Sequence, residues 1–178
     1  EGKVAALREH WGVGPARAVP VFGDLTEKKL GVSADDVKAL KGQIDHFYHL
    51  AAVYDLGADE ESQVAVNIEG TRSVLEAAER KQVPRVVYAS SDTVYGYQTK
   101  HTGTVEDASY SKRFTESYTR SKIEAEKLCF QSRRTAIARL GWVWGPGDTT
   151  ILPRLLDFLR SPSFFYAGTG KNILNLAY

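Results

Sequence analysis

A doubly wound α/β domain with a parallel sheet is the fold class that this sequence predicts. Short apolar runs rich in Val, Ile, Phe or Tyr alternate with longer amphipathic runs, a pattern typical of strands and helices that follow one another. The short runs are almost continuously apolar, as expected for strands covered on both faces of a parallel sheet. Because the chain has no internal repeat, low-complexity tract or linker, we expect residues 1–178 to form one domain.

The predicted elements alternate along the chain. Each predicted strand is bounded by Gly, Pro or polar residues, and the clearest helix carries one apolar stripe opposite Glu and Arg. Pro84 ends that helix just before the next strand. We predict strands at 17–23, 44–51, 85–90 and 135–141, and helices at the amino terminus, 59–82, 116–131 and 151–160.

Composition and charge limit the class of protein. The 178 residues are 43% hydrophobic and 25% charged, as in a globular domain, and the net charge is only +1. Such a balanced surface gives no field that attracts polyanions, so we expect neither nucleic acid nor a membrane as partner. Cys129 is the single cysteine, which excludes an intrachain disulfide and fits a reducing compartment. With no apolar run of about 18 residues and no signal peptide, we expect a cytoplasmic protein.

The two ends of the sequence predict that it covers only part of a domain. It opens inside a helix and stops in the apolar run "NILNLAY". A doubly wound dinucleotide-binding fold needs a first strand followed by a Gly-rich turn under the pyrophosphate, and neither is found. "GVGP" at 12–15 follows a helix and leads into a proline, so we interpret it as an ordinary loop. We therefore expect the first strand, the Gly-rich loop and a C-terminal substrate region to be missing.

Two clusters of polar residues suggest a reactive site. Tyr118 lies four residues before Lys122 in a helical pattern, which places both side chains on one helix face. The strand at 85–90 ends in the hydroxyl-rich stretch "SSDTVYG" (90–96), and in parallel α/β sheets ligands bind beyond the carboxyl ends of the strands. Either feature alone also fits a solvated helix or an ordinary turn.

Six motifs in register resemble the extended short-chain dehydrogenase/reductase family, which includes epimerases and dehydratases that use NAD. They cover nearly the whole chain, and each is weak alone, whereas six in the family's order and spacing are a specific signal. The resemblance implies a Rossmann-like fold and rests on "GDLTE" (23–27), "HLAA" (49–52), "NIEGTRSVLEAA" (67–78), "SSDTVYG" (90–96), "YTRSK" (118–122) and "GPGD" (145–148).

The resemblance implies that Ser91, Tyr118 and Lys122 are the catalytic residues. A tyrosine of ordinary pKa, about 10, is a poor base at neutral pH, and a nearby ammonium and a cationic nicotinamide favour its phenolate form. Tyr118 would then take the proton of a substrate hydroxyl while hydride leaves the same carbon, or do the reverse in reduction. Ser91 would hold the substrate oxygen, and Ser90 and Thr93 are the competing hydroxyls for that role.

The same resemblance implies the residues that bind the cofactor, NAD or NADP, with that choice left open. Asp24 would meet the adenine amino group, although it also fits the cap of the next turn. Asn67 would tie neighbouring strand ends together rather than react. The full set of expected cofactor-binding residues is Asp24, Leu25, Leu50, Ala51, Ala52, Asn67, Ser90, Tyr118, Lys122 and Gly141.

Other candidate residues are interpreted as structural. His49 lies inside an apolar strand, where a hydrogen-bonded structural histidine is the expected role. The adjacent acidic pairs at 35–36, 60–61 and 106–107 lie in polar stretches, and neighbours on a helix do not face each other, so we expect no metal site.

The substrate and the overall reaction stay open at this point. Trp142 stands where many nucleotide-sugar enzymes have an Asn that contacts the diphosphate, which favours a more apolar small molecule such as a steroid-like, flavonoid-like or acyl alcohol. Three functions remain: a dehydrogenase or reductase, an epimerase or dehydratase that retains NAD, and a redox-inactive dinucleotide sensor on the same fold. A homodimer is left open.

Overall fold

A computed structural model describes residues 2–54, 59–96, 104–113, 116–149, 151–165, 168–169, 171 and 175–177. Helices and strands alternate in this part of the chain, as the sequence predicts. In chain order they are α1 (Gly2–Trp11), α2 (Ala34–Ala39), β1 (His46–His49), α3 (Glu60–Gln63), α4 (Gly70–Arg80), β2 (Arg85–Ser91), α5 (Ser117–Phe130), β3 (Thr135–Leu140), β4 (Trp142–Val143), α6 (Ile151–Arg160) and β5 (Leu176–Ala177).

The main sheet has the order β1-β2-β3 among the described residues, and both pairings are parallel, which confirms the predicted sheet type. His49 pairs with Tyr88, and Ser90 and Ser91 pair with Arg139 and Leu140. The carboxyl ends of the strands therefore meet at one edge. The hydroxyl-rich stretch 90–96, which begins with the last two residues of β2, lies at that edge. Ligands of such sheets bind there.

Helices α4 and α5 pack on the same face of this sheet. Val86 of β2 packs with Val74 and Ala78 of α4, and Tyr88 packs with Ala125 and Cys129 of α5. Because residues two apart on a strand face the same side, both helices cover one face. Tyr48 and Leu140 are exposed on the other face, which no helix of the described residues covers in this way.

The strand predicted at 17–23 is wrong. No strand forms there, and Val19 and Phe22 remain 69% and 73% exposed. Apolar composition favours a strand, but a strand also needs a neighbour that accepts its backbone hydrogen bonds, and the described residues offer this segment none.

The helix predicted at 59–82 is interrupted by an irregular turn. A π-helix at Val64–Glu69 separates α3 from α4, and the backbone continues in helical conformation on both sides. Single π-turns inside helices occur frequently at functional sites because they turn side chains away from the regular spacing. Here the turn carries Asn67, one of the predicted site residues.

The remaining predicted helices agree with the structure within two residues at each end. Short 3₁₀ turns are found at Lys28–Gly31 and at Asp92–Tyr95, directly after β2. Within the described part of the chain, none of the helices has both the length and the apolar character needed to cross a bilayer.

Candidate functional site

The site is built around the carboxyl end of β2. Ser91 is buried and caps the 3₁₀ turn that follows, where its Oγ accepts hydrogen bonds from Thr93 N at 3.3 Å and from Thr93 Oγ1 at 3.1 Å. The hydrogen of the Ser91 hydroxyl is not used in these two bonds. Ser91 can therefore donate to an oxygen placed beyond the strand, while the competing Thr93 hydroxyl is engaged with Ser91 itself.

Lys122 is buried inside the molecule rather than solvated on a helix surface. It is only 3% exposed, and its Nζ donates a 2.8 Å hydrogen bond to Ala89 O, two residues before Ser91. The same ammonium lies 4.9 Å from the centre of the Tyr88 ring and 5.8 Å from that of Tyr118. Lys122 thus lies against the strand that ends in Ser91, and the Tyr118 ring lies close to its ammonium.

The burial of Lys122 changes its protonation. Removal from water lowers its pKa from 10.5 to about 8, an effect that the charge of Glu126 partly offsets. One of its three N–H donors bonds Ala89 O, and the other two have no hydrogen-bond partner among the described residues. An ammonium with two open donors beside a phenol can hold a hydroxylated ligand and stabilise negative charge on the phenol oxygen.

The burial of Lys122 predicts how the free energy of unfolding depends on pH. Since its folded-state pKa is about 8 and its ordinary value 10.5, the folded protein binds fewer protons than the unfolded chain between these pH values. The free energy of unfolding should then rise through this window, by on the order of 3 kcal/mol relative to the Lys122→Met variant. Urea titrations at several pH values measure the difference.

The matched control for this prediction is Lys127→Met, because Lys127 is an exposed lysine on the same helix. Its difference from the wild-type protein should stay flat across the window. A flat difference for Lys122→Met as well would mean that the Lys122 ammonium is solvated in the folded protein.

His49 has a structural role beside this pair. Thr71 Oγ1 donates to Asn67 O at 2.7 Å, so the 3.0 Å contact between His49 Nε2 and Thr71 Oγ1 requires the imidazole to donate. Burial, and then the charge of Lys122, lower the pKa of His49 to about 4. A buried neutral imidazole committed to an internal hydrogen bond agrees with the structural interpretation from the sequence.

Asn67 connects the chain after β1 to helix α5. Its Oδ1 accepts from Val53 N at 2.8 Å, and its Nδ2 donates to Val53 O and to Ser121 Oγ, both at 2.9 Å. Ser121 in turn donates to Tyr118 O at 2.8 Å. The amide thus fixes the backbone that carries Tyr118 by joining the chain after β1 to helix α5, rather than by joining two strand ends.

The other predicted cofactor residues lie on other segments of the chain. Asp24 is exposed, and its Oδ1 accepts hydrogen bonds from the amide and hydroxyl of Thr26, which lower its pKa. This is the turn cap that the sequence left open, and the second carboxylate oxygen is not used in it. Leu25 packs against the core beside α4, Leu50 and Ala51 are exposed after β1, and Ala52 is half-buried. Gly141 faces Asn175, whose backbone oxygen would lie 2.5 Å from an added Cβ.

Sequence reasoning missed several residues that complete the site. Tyr88 contacts both Lys122 and His49, with a ring-centre distance of 5.5 Å to His49. Its position two residues after Val86 on a strand is the signal that places its ring toward the helices. Ser121 and Glu126, on the helix of Tyr118, were also missed, and so was Arg139, the partner of Glu126.

The chain is similar to known proteins in sequence. A family model described as male sterility protein matches residues 6–175. The 3-beta-hydroxysteroid dehydrogenase of Mycolicibacterium neoaurum is 33% identical over 150 residues, which cover 77% of this chain and 39% of that enzyme.

Solved structures are similar as well. The terminal R domain from the myxalamid PKS-NRPS biosynthetic pathway has a TM-score of 0.64 and 32% identity, covering 73% of this chain and 34% of that one. UDP-glucuronic acid 4-epimerase from Bacillus cereus, in complex with NAD, has a TM-score of 0.54 and 29% identity over 68% of this chain and 39% of that one. The chain thus spans less than half the length of the relatives that it matches.

Proposed function

The chain belongs to the extended short-chain dehydrogenase/reductase family, and from this premise we propose that the protein is an NAD(P)-dependent oxidoreductase. We further propose that residues 1–178 form part of its dinucleotide-binding domain. The observation that carries the proposal is the buried Lys122 ammonium, 5.8 Å from the Tyr118 ring and bonded to the strand that ends in Ser91.

The residues present fit a dinucleotide. Lys122 has two open N–H donors for ribose hydroxyls, and the buried Ser90 Oγ has no hydrogen-bond partner among the described residues. Leu50 and Ala51 follow β1 at the same edge of the sheet, and both residues are exposed. Ala51 is also small enough for a ligand to approach closely. Asp24 would meet the adenine amino group with its unused oxygen. The bound nicotinamide would supply the hydride acceptor or donor at its C4.

Each of the three catalytic residues has one role in the proposed reaction. Tyr118 Oη takes the proton of the substrate hydroxyl as the C–H hydride leaves the same carbon, so that a C=O bond forms. Ser91 donates a hydrogen bond to that oxygen and fixes its position. Lys122 stabilises the phenolate form of Tyr118 by charge. In the reductive direction, Tyr118 returns the proton to the carbonyl oxygen.

The proposed substrate is an apolar secondary alcohol or its ketone. Trp142, Val143 and Trp144 are exposed directly after β3, at the edge where the site lies, and offer apolar rather than phosphate-binding surface. The similarity to a 3-beta-hydroxysteroid dehydrogenase supports a steroid-like alcohol. The similarity to an epimerase supports a second candidate, epimerisation of a nucleotide sugar with retained NAD.

One experiment separates these candidates. The intact protein is mixed with NAD⁺ or NADP⁺ and either a 3β-hydroxysteroid or UDP-glucuronic acid, and reduced nicotinamide and products are quantified. A stoichiometric yield of reduced nicotinamide with the steroid is the expected result. An isomerised nucleotide sugar without net reduction would identify the epimerase, and dinucleotide binding without turnover of either compound would point to the sensor.

The Lys122 charge also predicts a pH effect on rate. If it stabilises the phenolate, Lys122→Met should move the alkaline rise in kcat/KM for oxidation to higher pH by about one unit or more. The variant should also bind NAD⁺ more weakly, because two donors to the ribose are lost. An unshifted profile together with unchanged affinity would show that Lys122 acts in neither role.

A further inference from the structure

The guanidinium of Arg139 connects three other segments of the chain around one buried carboxylate. Its Nη2 lies 2.7 Å from Glu126 Oε2, and its Nη1 donates to Tyr95 Oη and to Glu106 O, each at 2.8 Å. Tyr110 donates to the same carboxylate at 2.8 Å. Glu126 is fully buried, and the guanidinium carbon lies 4.8 Å and 5.5 Å from the ring centres of Tyr95 and Tyr110.

The connected segments are those that carry or flank the proposed catalytic residues. Glu126 lies on α5, four residues after Lys122, and Tyr95 lies in the 3₁₀ turn that Ser91 caps. Glu106 and Tyr110 belong to segment 104–113, which precedes α5 in the chain and bonds the turn after β2 through Ser111 N and Val94 O at 2.9 Å. Arg139 itself pairs with Ser90 in the sheet.

The energetics of a buried ion pair favour a role in geometry. Burying both charges costs about as much desolvation as their attraction returns, so an apolar pair of similar volume often stabilises a fold equally well. What an apolar pair cannot supply is a planar set of donors that holds a carboxylate, a phenol oxygen and a backbone carbonyl at fixed angles. This is what Arg139 does here.

We propose that Arg139 is a positioning residue that fixes segment 104–113 and the Ser91 turn against helix α5. The inference rests on the proposed function, because the arrangement would hold Ser91 and Tyr118 so that both contact the same substrate oxygen. Arg139 does not touch the reacting atoms. It acts through Glu126, Tyr95 and the backbone of residue 106.

The test removes both charges together. In the Glu126→Met/Arg139→Met double variant of the intact protein, no charge is left buried alone, so we expect the fold to be retained. Tyr95 and the backbone of residue 106 lose their hydrogen bonds to Arg139, and Tyr110 loses its bond to Glu126. The matched control is Glu60→Gln/Arg120→Met, which removes an exposed ion pair between α3 and α5. Thermal stability, NAD⁺ affinity, kcat with a 3β-hydroxysteroid, and trypsin cleavage after Lys112 and Arg113 are measured for both.

The double variant should lose about 10- to 100-fold in kcat at near wild-type stability and NAD⁺ affinity, since small displacements of reacting groups have effects of this size. Cleavage after Lys112 and Arg113, two exposed residues of the released segment, should accelerate. The control should match the wild-type protein in all four measurements. A stably folded double variant with wild-type kcat overturns the inference, whether or not cleavage accelerates.

If the double variant does not fold, Arg139→Lys decides the question. Lysine keeps the charge beside Glu126 but cannot also reach Tyr95 and Glu106 O, so faster cleavage and lower kcat are again expected, and wild-type values would contradict the inference. The Tyr118→Phe variant separates this outcome from a failure of the proposed function. Full turnover in Tyr118→Phe contradicts the acid/base assignment. The kcat and cleavage rates of the Arg139 variants are measured separately and test only the positioning role.

Discussion

Replacement of Tyr118 by Phe is expected to lower turnover by on the order of 100-fold or more, with NAD⁺ affinity unchanged. The substitution removes one oxygen from a half-buried ring and leaves the Lys122 contacts with Ala89 O and Tyr88 in place. The substrate proton then has no positioned acceptor. The alkaline rise in the rate of oxidation should disappear with the phenol, and the measurement is kcat and KM against pH with a substrate that the intact protein turns over.

Tyr48→Phe provides the control for this prediction. Tyr48 is an exposed tyrosine of β1, and loss of its hydroxyl should change neither rate nor affinity. Ser91→Ala should lower kcat as well, because the substrate oxygen loses a donor. Wild-type turnover in both Tyr118→Phe and Ser91→Ala would contradict the roles assigned to these two residues and would mean that another group accepts the substrate proton.

The parts of the fold that the sequence predicts are those that depend on local pattern. The strand at Arg85–Ser91 and the helix at Ser117–Phe130 carry their own apolar runs or periodicity, so their bounds agree with the prediction. The segment at 17–23 has an equally apolar pattern and forms no strand, because a ladder of hydrogen bonds depends on a neighbour far away in the chain. The π-turn at Val64–Glu69 was hidden for a similar reason. The bonds of Asn67 to Val53 and Ser121 that accompany it join distant positions.

The site divides along the same line. The spacing of Tyr118 and Lys122 is local and visible in the sequence, but the burial of Lys122 depends on Tyr88 and Ala89, more than thirty residues earlier. The pairing of Glu126 with Arg139 joins a helix to the following strand. In the sequence alone, Glu126 is an ordinary residue of a charged helical pattern, and Arg139 is an ordinary residue of a strand pattern. Local pattern thus predicts which residues are candidates, and tertiary contacts decide which of them are removed from water.

Arg139→Met alone is expected to destabilise the protein by about 3–5 kcal/mol, because it leaves the fully buried Glu126 carboxylate without its cation. The Tyr110 hydroxyl remains as a donor but carries no charge to compensate the carboxylate. Urea unfolding of the variant and of the wild-type protein at neutral pH measures the loss.

The exposed ion pair between α3 and α5 provides the comparison. Arg120→Met removes the partner of Glu60, but both side chains are more than half exposed, so the loss should be only about 0–1 kcal/mol. The Glu126→Met/Arg139→Met protein should be more stable than Arg139→Met, since it removes the uncompensated charge. If Arg139→Met were as stable as the wild-type protein, water would have to reach Glu126. The proposed positioning role of Arg139 depends on a rigid ion pair removed from water, and it would then be contradicted.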